Sequence, residues 1–198
     1  AEGEPTRLLF VGRLEEKKGV FFALEAVAAA VAAGCDLEFD LVGDGALRPA
    51  LEAFTAERGL RGRVRLHGAQ PQDRVLAALA RAHLLIAPSI TSAAGDQEGI
   101  PNTLKEGMAV GLPVLSTLHS GIPELVEDGV SGYLVAENDT SALAGRLTRL
   151  ARCPEGWAAM GRAGRAKIEA EYDIERLNDR LLALYRGLLG SGARGGLA

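Results

Sequence analysis

The chain has 198 residues, 47% of them hydrophobic, and a formal net charge of −4. That is enough apolar material for a domain with a proper core, which excludes wholesale disorder, and the acidic balance argues against a nucleic-acid binder. The two cysteines, Cys35 and Cys153, match no metal or redox spacing and read as reduced thiols of a cytoplasmic protein; no run of about 18 apolar residues is present to span a membrane.

Residues 7–11 (RLLFV) form an apolar run stopped by Gly12 and predict a buried strand. After Lys17-Lys18-Gly19 comes FFALEAVAAAVAAG, helical in period, with Gly34 as its C-terminal stop. Residues 37–42 (LEFDLV) are a second strand, ended by Gly43-Asp44-Gly45. A second helix covers 46–58, with Pro49 in its first turn. A third strand, 64–67, precedes a third helix, 73–82, for which Asp73 is the expected cap. Residues 84–87 form a fourth strand. A loop, PSITSAAGDQEG, then leads to a helix that starts near Pro101, and short strands follow at 113–116 and 132–135. Three consecutive helices, 141–152, 157–172 and 174–189, close the pattern.

Strands alternating with helices predict an α/β fold, a doubly wound parallel sheet of six strands covered on both faces, followed by the C-terminal helices. Residues 1–189 are expected to be one domain, and 190–198 (GSGARGGLA) a disordered tail. In such a sheet, ligands bind beyond the carboxyl ends of the strands. That places the chemistry on the loops at Gly12-Arg13, Gly43-Asp44-Gly45, His67-Gly68-Ala69 and Pro88-Ser89, and at the start of the helix near Pro101.

Arg13 and Lys18 put two cations at this edge, which suits a diphosphate; two solvated charges beside Glu15 and Glu16 are the alternative. VGDGAL resembles the opening of a G-x-G-x-x-G turn, but position 48 is Arg and the preceding strand is the second. A plain tight turn is the better explanation, with close backbone approach of a ligand as the alternative. In QEGIPNTLKEG, Pro101 marks the helix start, so the amides of Asn102, Thr103 and Leu104 are expected to point outwards as an anion site. Glu98 precedes that start, and Glu106 lies roughly 7 Å along the helix axis. Carboxylates repel phosphate, so these two are expected to hold hydroxyls on either side of it. A nucleotide diphosphate sugar has that layout: Glu98 takes the sugar and Glu106 the ribose. Otherwise Glu98 only complements the helix dipole and Glu106 is a surface residue, or the two are a glycosidase acid and base. The latter would need two carboxylates facing each other across a cleft.

FVGRLEEKKG, LVGDG, VRLHGAQ, IAPS, EGIPNTLKEGMAVGLPVLSTLHSGIPELVEDGVSGYLV and the acidic END occur in that order. From Leu8 to Asp139 the chain resembles the C-terminal, donor-binding domain of family 4 glycosyltransferases, retaining enzymes of the two-domain GT-B fold. It is most similar to bacterial transferases of the exopolysaccharide or colanic-acid type. Gly107 stands where that family usually has Ala, and His83 where Asp often precedes the fourth strand.

The resemblance implies transfer of a sugar from a nucleotide diphosphate sugar to an acceptor. Arg13 and Lys18 would stabilise the leaving diphosphate, and Glu98 would act with them on the donor sugar. Gly12, Gly43, His67, Gly68, Gly99, Ile100, Asn102, Thr103, Leu104 and Glu106 would line the donor, with the segment from His67 to Gln70 near the base. No cofactor or metal is expected, since cations and amides would do that work. The acceptor, a sugar or a lipid-linked glycan, would bind an N-terminal domain absent from this chain. Such a glycan would allow peripheral membrane association. The leucines at 177, 181, 184 and 188 form a stripe that the missing domain would cover. The rival readings are a sugar-nucleotide epimerase or phosphorylase half, and a non-catalytic dinucleotide-binding Rossmann module.

Overall fold

The computed structural model describes residues 3–192. Six strands, β1 (Thr6–Val11), β2 (Leu37–Val42), β3 (Val64–Gly68), β4 (Leu84–Ala87), β5 (Val114–Thr117) and β6 (Gly132–Val135), form one sheet in the order β3-β2-β1-β4-β5-β6. Every neighbouring pair is parallel. The apolar runs make these strands because a parallel sheet buries both faces at its centre. In β1, Leu8 and Phe10 enter one core and Leu9 the other; in β4, Leu84 and Ile86 part from Leu85 and Ala87 in the same way.

Helices α1 (Val20–Ala32), α2 (Arg48–Glu57) and α6 (Thr140–Arg152) cover the first face, with Leu24, Leu51 and Leu143 fully or almost fully buried there. Helices α3 (Gln72–Arg81), α4 (Asn102–Ala109) and the short α5 (Ile122–Leu125) cover the second through Leu79, Leu104, Met108 and Ile122. Helix α7 (Trp157–Glu171) adds Ile168 to that core, and α8 (Ile174–Gly192) is the last element among the described residues. No helix among the described residues is long and apolar enough to cross a membrane.

The predicted elements form, with several corrections. The second face is not fully covered. Over β2 and β3 it carries a ladder of charges, Glu38 to Arg65 at 2.7 Å, Arg65 to Asp40 at 3.6 Å and Asp40 to His67 at 2.6 Å. The alternation LEFDLV already encodes that half-exposed strand. Pro71 rather than Asp73 precedes α3, and Asp73 lies in its first turn. Pro101 stands just before α4, with φ −58° and ψ 129°, because the helical hydrogen bonding begins at Asn102. The one-turn α5 has too few residues to show a period, and it went unpredicted. Helix α8 runs through Gly192, past the expected end at Leu189; residues 193–198, the rest of the expected tail, lie outside the described residues. Cys35 is buried and Cys153 exposed, both as free thiols.

The sheet order fixes the site. The chain leaves β1 towards β2 on one side and returns in β4 on the other, so the carboxyl ends of β1 and β4 lie side by side. A crevice opens at such a reversal.

Candidate functional site

Two segments meet at the crevice: a 3-10 turn after β1, Glu16–Lys18, and the loop between β4 and α4. Each side chain of the turn grips the loop at a different point. Glu16 Oε1 accepts from the Ala93 amide at 3.0 Å. Lys17 Nζ lies 2.8 Å from Asp96 Oδ2 and 4.0 Å from Glu98 Oε1. Lys18 Nζ lies 2.6 Å from Glu98 Oε2. The backbone joins in, with the Ile90 amide donating to the Lys17 carbonyl at 2.9 Å.

Gly19 makes this approach possible. Its φ is +64°, and a Cβ there would lie 1.8 Å from the Pro88 carbonyl oxygen. Only a residue without a side chain can turn the chain here and still touch the loop. The Lys17–Asp96 hydrogen bond pushes the lysine above its ordinary pKa and holds the aspartate below its own.

A second tether comes from behind. The His119 ring is 1% exposed; its Nε2 accepts from the Glu98 amide at 3.1 Å, and its Nδ1 lies 2.7 Å from Glu137 Oε1. The other Glu137 oxygen accepts from the Thr91 amide at 2.7 Å. Burial pushes the Glu137 carboxyl up, but the Thr91 amide and His119 outweigh it and hold the group below its ordinary value.

Of the residues expected from sequence, Lys18 and Glu98 are brought together, and the start of α4 follows them directly. The amides of Asn102 and Thr103 meet no acceptor among the described residues. Leu104 differs from expectation: its amide donates to the Pro101 carbonyl at 3.1 Å, closing the first turn, so it is not free for an anion. Ile100 packs against the second core, and the neighbouring Gly99 has open space around it. Glu106 is half-buried, and its carboxylate has no partner among the described residues.

Arg13 is not drawn in. Its side chain is 65% exposed and pairs with Glu15 at 2.9 Å, the solvated alternative allowed by the sequence. Gly43 is used structurally, since a Cβ there would sit 1.8 Å from the Gly12 carbonyl oxygen. Its amide donates to the Gly68 carbonyl at 2.8 Å, so Gly12, Gly43 and Gly68 brace three strand ends against one another. Arg48, in place of a third glycine, pairs with Asp44 at 3.5 Å and Glu52 at 2.8 Å and fastens the turn. His67 points to Asp40, and its carbonyl accepts from Gln70 at 2.8 Å. The two departures noted in the sequence are also packed. A Cβ on Gly107 would meet Leu85 Cδ2 at 2.5 Å, and the His83 ring lies 5.2 Å from Trp157 with Arg7 on its nitrogens.

Sequence reasoning missed Glu16, Lys17, Asp96, His119 and Glu137. The only signals were the doubled lysine, the histidine before the Gly-Ile-Pro-Glu segment and the first acid of Glu137-Asn138-Asp139.

A family profile described as glycosyl transferases group 1 matches residues 5–153. The amylovoran biosynthesis glycosyltransferase AmsK of Erwinia amylovora is 44% identical over 170 residues, 86% of this chain and 42% of that protein. WcaL of Salmonella typhimurium, named for colanic acid biosynthesis, is 40% identical over 186 residues, 93% of this chain and 46% of that protein. The chain thus spans less than half the length of these relatives. Among solved structures, Anabaena HepE in complex with UDP superposes with a TM-score of 0.79 at 22% identity, covering 92% of this chain and 49% of that one. A C-terminal domain of a group 1 glycosyl transferase from Francisella tularensis, LpcC, gives 0.75 at 20% identity, covering 85% and 87%. These likenesses agree with the six-stranded parallel sheet as a GT-B glycosyltransferase fold.

Proposed function

The chain belongs to the group 1 glycosyl transferases, and from that premise we propose that it is the donor-binding domain of a retaining, family 4 transferase. The domain takes in the sheet and its flanking helices through α8, with its C-terminal helices from about 141. The observation that carries the proposal is the pairing of Lys18 with Glu98 directly before the two unpaired amides that open α4. Glu98, with the Lys18 ammonium on its carboxylate, stands shortly before two N–H groups that have no acceptor among the described residues. That arrangement accepts a diphosphate and offers an acceptor to hydroxyls beside it.

The diphosphate occupies the α4 N-terminus and shares the Lys18 ammonium with Glu98. Glu98 holds the donor sugar, Glu106 the ribose and the turn after β3 the base. As the bond between sugar and diphosphate breaks and a bond to an acceptor hydroxyl forms, with that hydroxyl's proton taken up by the leaving diphosphate, negative charge on the diphosphate would be stabilised by Lys18 and the α4 amides, with Arg13 swinging in from solvent. UDP in the HepE structure and UDP-glucose in a second structure of that protein support a nucleotide diphosphate sugar as the ligand. The acceptor, a growing polysaccharide or a lipid-linked glycan, binds a second domain that covers the exposed Ile174, Leu177, Leu181 and Leu184 of α8. Binding of the membrane-borne glycan would bring the protein to the membrane surface from the cytoplasm.

The test is calorimetry of this chain with UDP-glucose, GDP-mannose, NAD and NADP. Binding of a sugar nucleotide and none of the dinucleotides is expected. The reverse would establish a dinucleotide module instead. Transfer needs the acceptor held in reacting geometry, so this chain is expected to bind donor and release nucleotide at less than about a tenth of the rate of a two-domain form.

A further inference from the structure

We infer that His119 and Glu137 are positioning residues for Glu98, setting the angle at which its carboxylate meets the donor sugar. This rests on the sugar role proposed for Glu98. An amide can only donate, so the Glu98 N–H at 3.1 Å requires a lone pair on His119 Nε2. The ring's single proton is then on Nδ1, where it is donated to Glu137 Oε1 at 2.7 Å. A carboxylate behind a neutral imidazole makes the opposite nitrogen a better acceptor. Glu137 is itself fixed through the Thr91 amide at 2.7 Å, and Thr91 Oγ1 accepts from Gln97 Nε2 at 3.2 Å. Both ends of the segment 91–98 thus hang from one pair, the buried His119 and the partly exposed Glu137.

Glu98 is consequently held twice, at its amide by His119 and at its carboxylate by Lys18. The residue after it cannot supply the constraint, because Gly99 has no neighbour within 4 Å of where a side chain would begin. Without the imidazole, the backbone at Glu98 is free to rotate while Lys18 still holds the carboxylate end. The carboxylate stays in the site and loses its aim.

The experiment measures the sugar increment, the ratio of the Kd for nucleotide diphosphate to the Kd for its sugar form. The pairs are UDP with UDP-glucose and GDP with GDP-mannose. His119→Asn keeps an amide near Nδ1 and removes the acceptor facing Glu98, whereas His119→Gln carries an amide oxygen out to the Nε2 position. The increment is expected to fall about fivefold in His119→Asn, the worth of one net hydrogen bond, and to survive in His119→Gln. Binding of the bare diphosphate should hold within about twofold in both. Equal loss in the two variants, or loss of bare-diphosphate binding in step, would overturn the inference in favour of a merely structural histidine. So would an intact increment in His119→Asn. Should His119→Asn not fold, Glu137→Gln takes its place: a reduced increment supports the inference and an unchanged one overturns it. Glu98→Gln separates the two levels. If it keeps the full increment, or the wild-type chain has none, the sugar role of Glu98 falls and the inference with it. If it loses the increment and His119→Asn does not, only the positioning role falls.

Discussion

Lys18 Nζ and Glu98 Oε2 lie 2.6 Å apart although 80 residues separate them in the chain. Both side chains are largely shielded, at 18% and 14% exposure. Neither could stay so buried alone, because an unpaired charge away from water is costly. Each is therefore a partner of the other before any ligand arrives.

Lys18→Ala is expected to weaken binding of a nucleotide diphosphate by about 1.5–3 kcal/mol, the range for hydrogen bonds to charged groups. Arg13→Ala should fall at or below the lower end, since that guanidinium is exposed and already paired with Glu15. Calorimetry with UDP and GDP measures both. Unchanged affinity in Lys18→Ala, with the fold intact, would remove the phosphate from this edge of the site.

The two glutamates should separate. Glu106→Ala is expected to weaken the bare diphosphate by about 1–3 kcal/mol, as the ribose loses its acceptor. Glu98→Ala should leave that binding nearly whole and abolish only the gain from the sugar. The opposite pattern in the same titrations would reverse the ligand along α4.

Gly19→Ala is expected to cost roughly 2 kcal/mol or more of stability, read from urea denaturation. The φ of +64° is strained for any residue with a Cβ, and that Cβ would collide with the Pro88 carbonyl. Because the collision pushes the turn off the loop, nucleotide affinity should drop as well. A loss under about 0.5 kcal/mol would show that the turn can rearrange cheaply.

Stability should fall on acidification in two stages. Burial, with Arg7 alongside, lowers the His83 pKa from its ordinary 6.5. The unfolded chain therefore takes up that proton first, and the contribution of a neutral His83 is full above pH 6.5 and lost as pH falls through the lowered folded value. Glu137 is held below its ordinary 4.5, so its share is present above that pH and goes as pH drops through its own lowered value. Unfolding midpoints across pH would show both steps, and His83→Gln should erase only the first. A profile flat from neutrality to pH 5 would contradict the His83 assignment.

The strands were legible because their residues carry their own signal. RLLFV, LEFDLV and LLIA are apolar at the positions that face helices, and a parallel sheet, though not its strand order, follows from alternating strands with helices. The start of α4 was legible through Pro101, apart from the Leu104 amide, which the first turn takes back. The grip of Glu16, Lys17 and Lys18 on the loop was not. It depends on β1 and β4 being neighbours, and no local pattern in either segment says which side chain reaches which. Nor was the role of His119 legible, its partners being an amide and a carboxylate 21 and 18 residues away in the chain. Arg13 shows the converse limit: its position at the sheet edge was right, but its direction is set by Glu15, two residues away.

The adjacency of β1 and β4 also sets when the site can exist. A chain emerging from the ribosome can pair β1 with β2 and β2 with β3 early, yet the turn at residues 16–18 then faces nothing. The loop it grips lies beyond β4, and the imidazole behind that loop lies beyond β5. Contacts so distant in sequence close late and slowly. A nascent domain of three strands would thus carry its lysines unneutralised, and the paired site would appear in one step with the second half of the sheet. The Glu98 amide, which has a partner only once His119 is in place, would mark that step in pulse-labelled hydrogen exchange during refolding, becoming protected after the amides of β1 and β2.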